Sequence, residues 1–178
     1  MAAIRTLGLD DRAARFLDLP FYQTGKVKKD PVGEADVAIV RALLEEIRPD
    51  LVFVAGDLSD PHGTHRLCKE AVERALDEAV DAGLERPEVW LYRGAWQEWP
   101  VTEATWLVPL SQEELRLKIQ AIFKHQSQKD TAPFPGPDER EFRQRVEARN
   151  KGTAAELDLL GLAEYFAMEA YVVEPTRS

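Results

Sequence analysis

The run Leu51-Val52-Phe53-Val54-Ala55, closed by Gly56, is unbroken by any polar residue. A strand with one wet face alternates apolar and polar side chains, so an uninterrupted run suits a strand buried on both faces of a parallel sheet. Helical patterns flank it. From about Glu34 to Arg48, the residues Val37, Val40, Leu43, Leu44 and Ile47 recur at helical spacing until Pro49 stops them. Beyond the run, Leu67, Cys68, Ala71, Val72, Ala75, Leu76, Ala79 and Val80 form one apolar helix face, and Gly83 stands where a left-handed cap residue belongs. Val89 to Tyr92 reads as the next strand and Thr105 to Leu110 as another. Arg15 to Leu19, closed by Pro20, is a candidate strand before them. Strand and helix in alternation imply right-handed crossovers and a mainly parallel sheet.

The rest of the chain reads as helical. Ser111 and Glu114 form a capping box that opens a helix to about Gln128, with Leu115, Ile119, Ile122 and Phe123 inward. Thr131 to Pro137 is a rigid loop, and a final helical stretch runs from about Asp138 to Tyr171, broken near Gly152 and Gly161. Neither a repeat nor an interdomain linker is evident, so residues 1–178 read as one domain, long enough to bury a proper core.

The formal net charge of -9 argues against partners that present phosphate backbones or membrane surfaces. A single cysteine, Cys68, excludes an internal disulfide and reads as a buried, inert residue of its helix stripe. With no signal peptide and no apolar run of bilayer length, the expected location is the cytoplasm.

Chemistry concentrates where strands end. Asp60-Pro61-His62-Gly63-Thr64-His65-Arg66 follows the carboxyl end of the buried run, the edge at which open α/β sheets bind ligands. Imidazole is the commonest protein ligand for zinc, and a helix N-terminus disfavours positive charge on a nearby histidine. His62 and His65 therefore form a metal or catalytic pair, or else two surface-loop histidines of which one helps to cap the helix. One His-x-x-His supplies at most half of a zinc coordination shell. Arg93-Gly-Ala-Trp-Gln-Glu-Trp99 leaves the carboxyl end of the next strand. There Arg93 can grip a phosphate or carboxylate, while Trp96 and Trp99 face a sugar ring or act as a hydrophobic lid. Lys26, Lys28 and Lys29 form either a solvated loop or a phosphate contact. His125, late in a helix, reads as a surface residue.

Gly56 to Arg66, Gly-Asp-Leu-Ser-Asp-Pro-His-Gly-Thr-His-Arg, resembles the second signature of the PIG-L/LmbE-type zinc de-N-acetylases, a His-x-x-His-Arg placed after a sheet strand. Phe16 to Tyr22 is similar to that family's strand and substrate-side loop, and Lys124-His-Gln-Ser-Gln128 to its helix ending. With "LPFYQTGKVKKDP" and "VWLYRGAWQEW", nearly the whole chain resembles the C-terminal LmbE-like region of bacterial glucosamine-6-phosphate deaminase (isomerase) fusion proteins. The resemblance implies a Rossmann-like three-layer α/β fold. It assigns zinc as cofactor, with His65 as a metal ligand and His62 stabilising the oxyanion. Asp60, Arg93 and Lys26 then become candidates for holding an amino sugar or sugar phosphate. An unpaired, apolar edge along Leu51 to Ala55 would be a template for pairing with another chain, so a homo-oligomer is the expected assembly.

One departure qualifies those roles. The family's first signature, Ala-His-Pro-Asp-Asp-Glu, supplies further zinc ligands and the general base, and no His-x-Asp-Asp occurs here; Asp10-Asp11 follows Leu9. Met1 to Leu9 reads as the end of a helix. The expectation is a chain that lacks the first βαβ unit and carries half an active site, inactive by itself. The reaction implied is zinc-dependent removal of an acetyl group from an N-acetylated amino sugar. The alternative is a catalytically inactive LmbE-like regulatory or oligomerisation module. A nucleotide binder fits less well, since no Gly-x-Gly-x-x-Gly follows any strand.

Overall fold

The computed structural model describes residues 1–22, 29–56, 63–93, 97–125 and 140–175. They form two compact units, one of residues 16–94 and 171–178, the other of residues 1–15 and 95–170. Among the described residues no helix is long and apolar enough to cross a membrane.

In the first of these units, helix α2 (Glu34–Ile47) leads to strand β1 (Leu51–Ala55), helix α3 (Thr64–Asp81) and strand β2 (Glu88–Tyr92). α2 ends as the sequence predicts: Arg48 turns left-handed at φ 49° before Pro49, and its N–H donates to the Leu44 carbonyl at 2.8 Å. α3 ends on Gly83 at φ +100°, with Gly83 N–H bonded to Val80 O and Leu84 N–H to Ala79 O, both at 2.9 Å. That pattern is a Schellman cap. Ala71, Ala75 and Ala79 are fully buried along one column of α3, and their small size lets α2 pack close with Val37, Val40 and Leu44. Asp36 is buried in the first turn of α2, where its carboxylate accepts from the N–H groups of Gly33 at 2.8 Å and Phe21 at 2.9 Å.

β1 and β2 run parallel in the register Leu51↔Glu88 to Ala55↔Tyr92, as expected of a βαβ unit. β2 then pairs antiparallel with the end of strand β4 (Ala167–Val173), through Trp90↔Val173 and Leu91↔Val172. The sheet is therefore mixed rather than purely parallel. Among the described residues β1 is an outer strand. Val54, Val89 and Leu91 are buried on the face beneath α3, but Phe53 on the other face is 52 % exposed. The uninterrupted apolar run thus does not mark a strand covered on both faces.

The other unit holds a short helix α1 (Ala2–Thr6), strand β3 (Trp106–Leu110), and helices α4 (Gln112–Phe123) and α5 (Phe142–Leu159). β3 hydrogen-bonds to β4. Ala154, Leu157 and Met168 form a core cluster with Val101 and Leu107 against it. The capping box of α4 is present: the Ser111 hydroxyl accepts from Glu114 N–H at 3.2 Å and the Glu114 carboxylate from Ser111 N–H at 2.7 Å.

Three sequence expectations need correction here. Arg15–Leu19 is not a strand: Asp18 sits at φ 47°, which no strand can contain, and Phe16 is 75 % exposed. α4 ends at Phe123 rather than near Gln128, with Lys124 as its C-cap. The helical stretch predicted to Tyr171 is instead α5 followed by β4. Gly152 lies within α5 without breaking it, whereas Gly161, at φ +76°, follows its end and lets the chain turn away. The helix formers Ala167, Met168, Glu169 and Ala170 hid the strand, whose membership is decided by burial of Ala167, Met168 and Ala170.

Candidate functional site

The parallel pair places two loops at one edge. Ala55 and Tyr92 are the last residues of β1 and β2 and lie opposite each other, and the ladder closes where Gly56 N–H donates to the Tyr92 carbonyl at 2.7 Å. Out of β1 the chain leads to α3, and out of β2 to Arg93. The position inferred from sequence, the carboxyl end of a parallel strand pair, is the one observed.

His65 is the second residue of α3 and is exposed in its first turn. The N-cap is Gly63, in the left-handed region at φ 67°, and no side chain caps the helix there. The left-handed backbone is what favours glycine here; a Cβ at residue 63 would meet only the tip of the flexible Arg66 side chain, at 2.9 Å. The first N–H groups of α3 thus face the strand ends with their positive dipole. Cys68, three residues beyond His65, is half-buried rather than fully buried. It lies near enough to Tyr92 to act on it electrostatically. Burial, with Cys68 adding to it, pushes the Tyr92 phenol above its ordinary value. Arg93, half-buried, follows directly. Sequence reasoning placed Tyr92 at the end of its strand and gave it no part in the site.

Of the other candidates, Lys26, Lys28, Asp60, His62 and Trp96 lie outside the described residues. Lys29 sets its ammonium over the Tyr22 ring, 4.3 Å from the centroid. His125 is exposed just past α4. Among the described residues, no three His, Cys, Asp or Glu side chains are grouped so as to hold a metal ion. The described part of the donor set therefore does not by itself fit zinc, and no step through zinc follows from it.

The other unit contains a separate polar cluster. Asn150, 1 % exposed, donates to the Glu98 carboxylate and to the Met168 carbonyl, each at 3.1 Å, and accepts from the Lys118 ammonium at 2.8 Å. Lys118 also pairs with Glu169. Burial raises the Glu98 carboxyl above its ordinary value, against the opposing pull of Lys118 and Arg149. Every hydrogen-bonding atom of the Asn150 amide group is engaged, so the cluster holds structure together rather than awaiting a ligand.

No protein-family model matches the chain. It is 58 % identical over 160 residues to a glucosamine-6-phosphate deaminase-like protein of Bacteroides thetaiotaomicron, a match that takes in 88 % of this chain and 24 % of that protein. The chain thus spans about a quarter of the curated relative's length. Two solved structures share its fold. The conserved protein TT1542 of Thermus thermophilus superposes with TM-score 0.58 at 22 % identity, over 96 % of this chain and 68 % of that one. The zinc-inhibited form of teicoplanin deacetylase Orf2 gives TM-score 0.53 at 18 % identity, over 99 % of this chain and 73 % of that one. These likenesses establish the class, a Rossmann-like α/β fold, and a relationship to a glucosamine-6-phosphate deaminase-like protein.

Proposed function

We propose that residues 1–178 carry the histidine-bearing part of a PIG-L/LmbE-type de-N-acetylase domain, in a protein that acts on amino sugars. The observation that carries this reading is the placement of His65. It stands in the first turn of the helix that follows β1, at the same sheet edge as Arg93. The deaminase-like relative and the deacetylase among the structural neighbours support the substrate class. In this reading His65 contributes one zinc ligand to the complete domain and His62 the oxyanion contact. Arg93 presents a planar, permanently charged fork to a phosphate or carboxylate of the substrate. Asp60 and Lys26 add polar contacts to the substrate.

The absence of a His-x-Asp-Asp motif favours a second reading for the chain by itself, a substrate-binding module without turnover. Titration of glucosamine 6-phosphate and N-acetylglucosamine 6-phosphate into the isotopically labelled protein tests the shared part. The amides of His65 and Arg93 should shift, and Arg93→Ala should weaken binding about tenfold, the loss expected when one charged hydrogen-bond pair is removed. Shifts confined to other regions, or an Arg93→Ala variant that binds as the parent does, would contradict the assignment. Deacetylation in the same samples would exclude the second reading.

A further inference from the structure

The turn that leaves α5 projects leucines into solvent. Leu159 is 87 %, Leu160 66 % and Leu162 56 % exposed, and the exposed rings of Tyr165 and Phe166 follow before β4. Single exposed apolar side chains are ordinary, but a run of them along one short segment marks a contact surface. Beside it, within the same unit, α4 and α5 border an open groove of about 370 Å³. Leu115, Ile119 and Phe166 give the groove an apolar lining, and Arg116, Glu147 and Lys151 give it charge. The Lys151 ammonium lies 5.1 Å from the centre of the Phe166 ring and 2.7 Å from Glu147.

Groove and turn share one face of α5. Glu147 and Lys151 stand one helical turn apart, and Ala155 and Leu159 continue the same i, i+4 row. Leu159 lies eight residues beyond Lys151, about 12 Å along the axis. A face that carries both a groove and a projecting apolar group can complement itself across a two-fold axis. An axis through Ala155 and perpendicular to α5 reverses the row onto itself. It sets Leu159 of one copy at the level of Lys151 and Phe166 of the other. Ala155 is exposed, and its small side chain lets two helices approach closely.

The charges complement each other in the same sense. Glu156, Asp158 and Glu164 flank the leucines, all exposed and, among the described residues, without an ion pair. Glu156 and Asp158 stand in the last turn of α5, where the helix macrodipole favours cations, so helix stability does not account for them. Across the groove Arg116 is exposed and likewise has no ion pair among the described residues. An acid-flanked apolar turn and a groove with a free arginine therefore sit on one surface. Those are the two halves of an isologous contact.

We propose that this face of α4 and α5 is an interface with a second copy of the same chain, in which the Leu159–Leu162 turn of each copy fills the groove of the other. The proposal is independent of the amino-sugar reading and uses a surface other than the β1 edge.

Light scattering over a dilution series of residues 1–178 tests it. A dimer should form with a dissociation constant below about 100 μM. Leu159→Asp and Arg116→Glu should each weaken it about tenfold or more. Both side chains are exposed in the single copy, so thermal unfolding in dilute solution should stay as in the parent. The axis has its own readout. In a Cys68→Ser background, Ala155→Cys should form a disulfide-linked dimer on mild oxidation about tenfold faster than Ala148→Cys, exposed on another side of α5. A protein that remains monomeric throughout the series would overturn the proposal. So would a dimer that survives Leu159→Asp, since it must form through another surface, or equal crosslinking at residues 148 and 155. Hydroxyl-radical labelling of the intact Bacteroides relative supplies a last outcome. Shielding of the matching leucines in a monomeric relative would assign the face to another part of that longer protein and overturn the proposal.

Discussion

The side-chain amide of Asn150 on α5 donates to the carboxylate of Glu98, 52 positions earlier in sequence, at 3.1 Å. The same amide group bonds the Met168 carbonyl of β4 and Lys118 of α4. One buried side chain therefore ties a loop, two helices and a strand within its unit.

Asn150→Leu should expose the worth of that junction. Leucine has similar volume but leaves the Met168 carbonyl and the Glu98 carboxylate short of a donor in a buried place. Unsatisfied buried groups cost about 1–3 kcal/mol each, so the variant should lose about 2–4 kcal/mol in urea unfolding. A loss under about 1 kcal/mol would show that the cluster is replaceable by packing.

Glu98 should give stability an unusual pH dependence. Burial raises its carboxyl in the folded state above the ordinary value of 4.5. The folded protein then holds more protons than the unfolded chain between those two values, so stability from this group is greatest at low pH. It declines as pH rises from 4.5 through the raised folded value. Glu98→Gln should remove the decline. Stability curves of parent and variant that stay parallel above pH 4.5 would contradict the assignment.

Gly63→Ala tests the N-terminus of α3. A left-handed backbone at residue 63 disfavours any Cβ by about 1–2 kcal/mol, and the Arg66 guanidinium at 2.9 Å must also shift. Thermal unfolding should fall accordingly. The amide resonances of Thr64 and His65 should move, while those of α2 should not. An unchanged melting temperature would mean that the turn relaxes freely.

Metal stoichiometry tests the departure from the family pattern. A tetrahedral zinc site needs about four ligands, and without a His-x-Asp-Asp motif the family pattern assigns His65 and at most one other group in this chain. After dialysis against zinc, residues 1–178 should retain well under one equivalent by metal analysis. One tightly held zinc per chain would reveal donors that the motif comparison does not include.

The sequence by itself determined the elements whose signals are local. Periodicity, Pro49 and Gly83 bounded α2 and α3, Ser111 with Glu114 opened α4, and Gly56 closed β1 next to the histidine segment. These signals act within a few residues, so they survive without knowledge of the fold. They also placed His65 and Arg93 after the ends of two strands, and the parallel register of β1 and β2 puts those ends side by side. What only the tertiary structure decided were matters of partnership. Arg15–Leu19 had a strand's composition but a left-handed Asp18, and Ala167–Val173 had a helix's composition but lies beside β2 and β3. The apolar run of β1 could not say that Phe53 would remain exposed, because burial belongs to the neighbours a face acquires. Strand membership and burial are set by residues distant in sequence, and a linear pattern records only the side chains that would tolerate them.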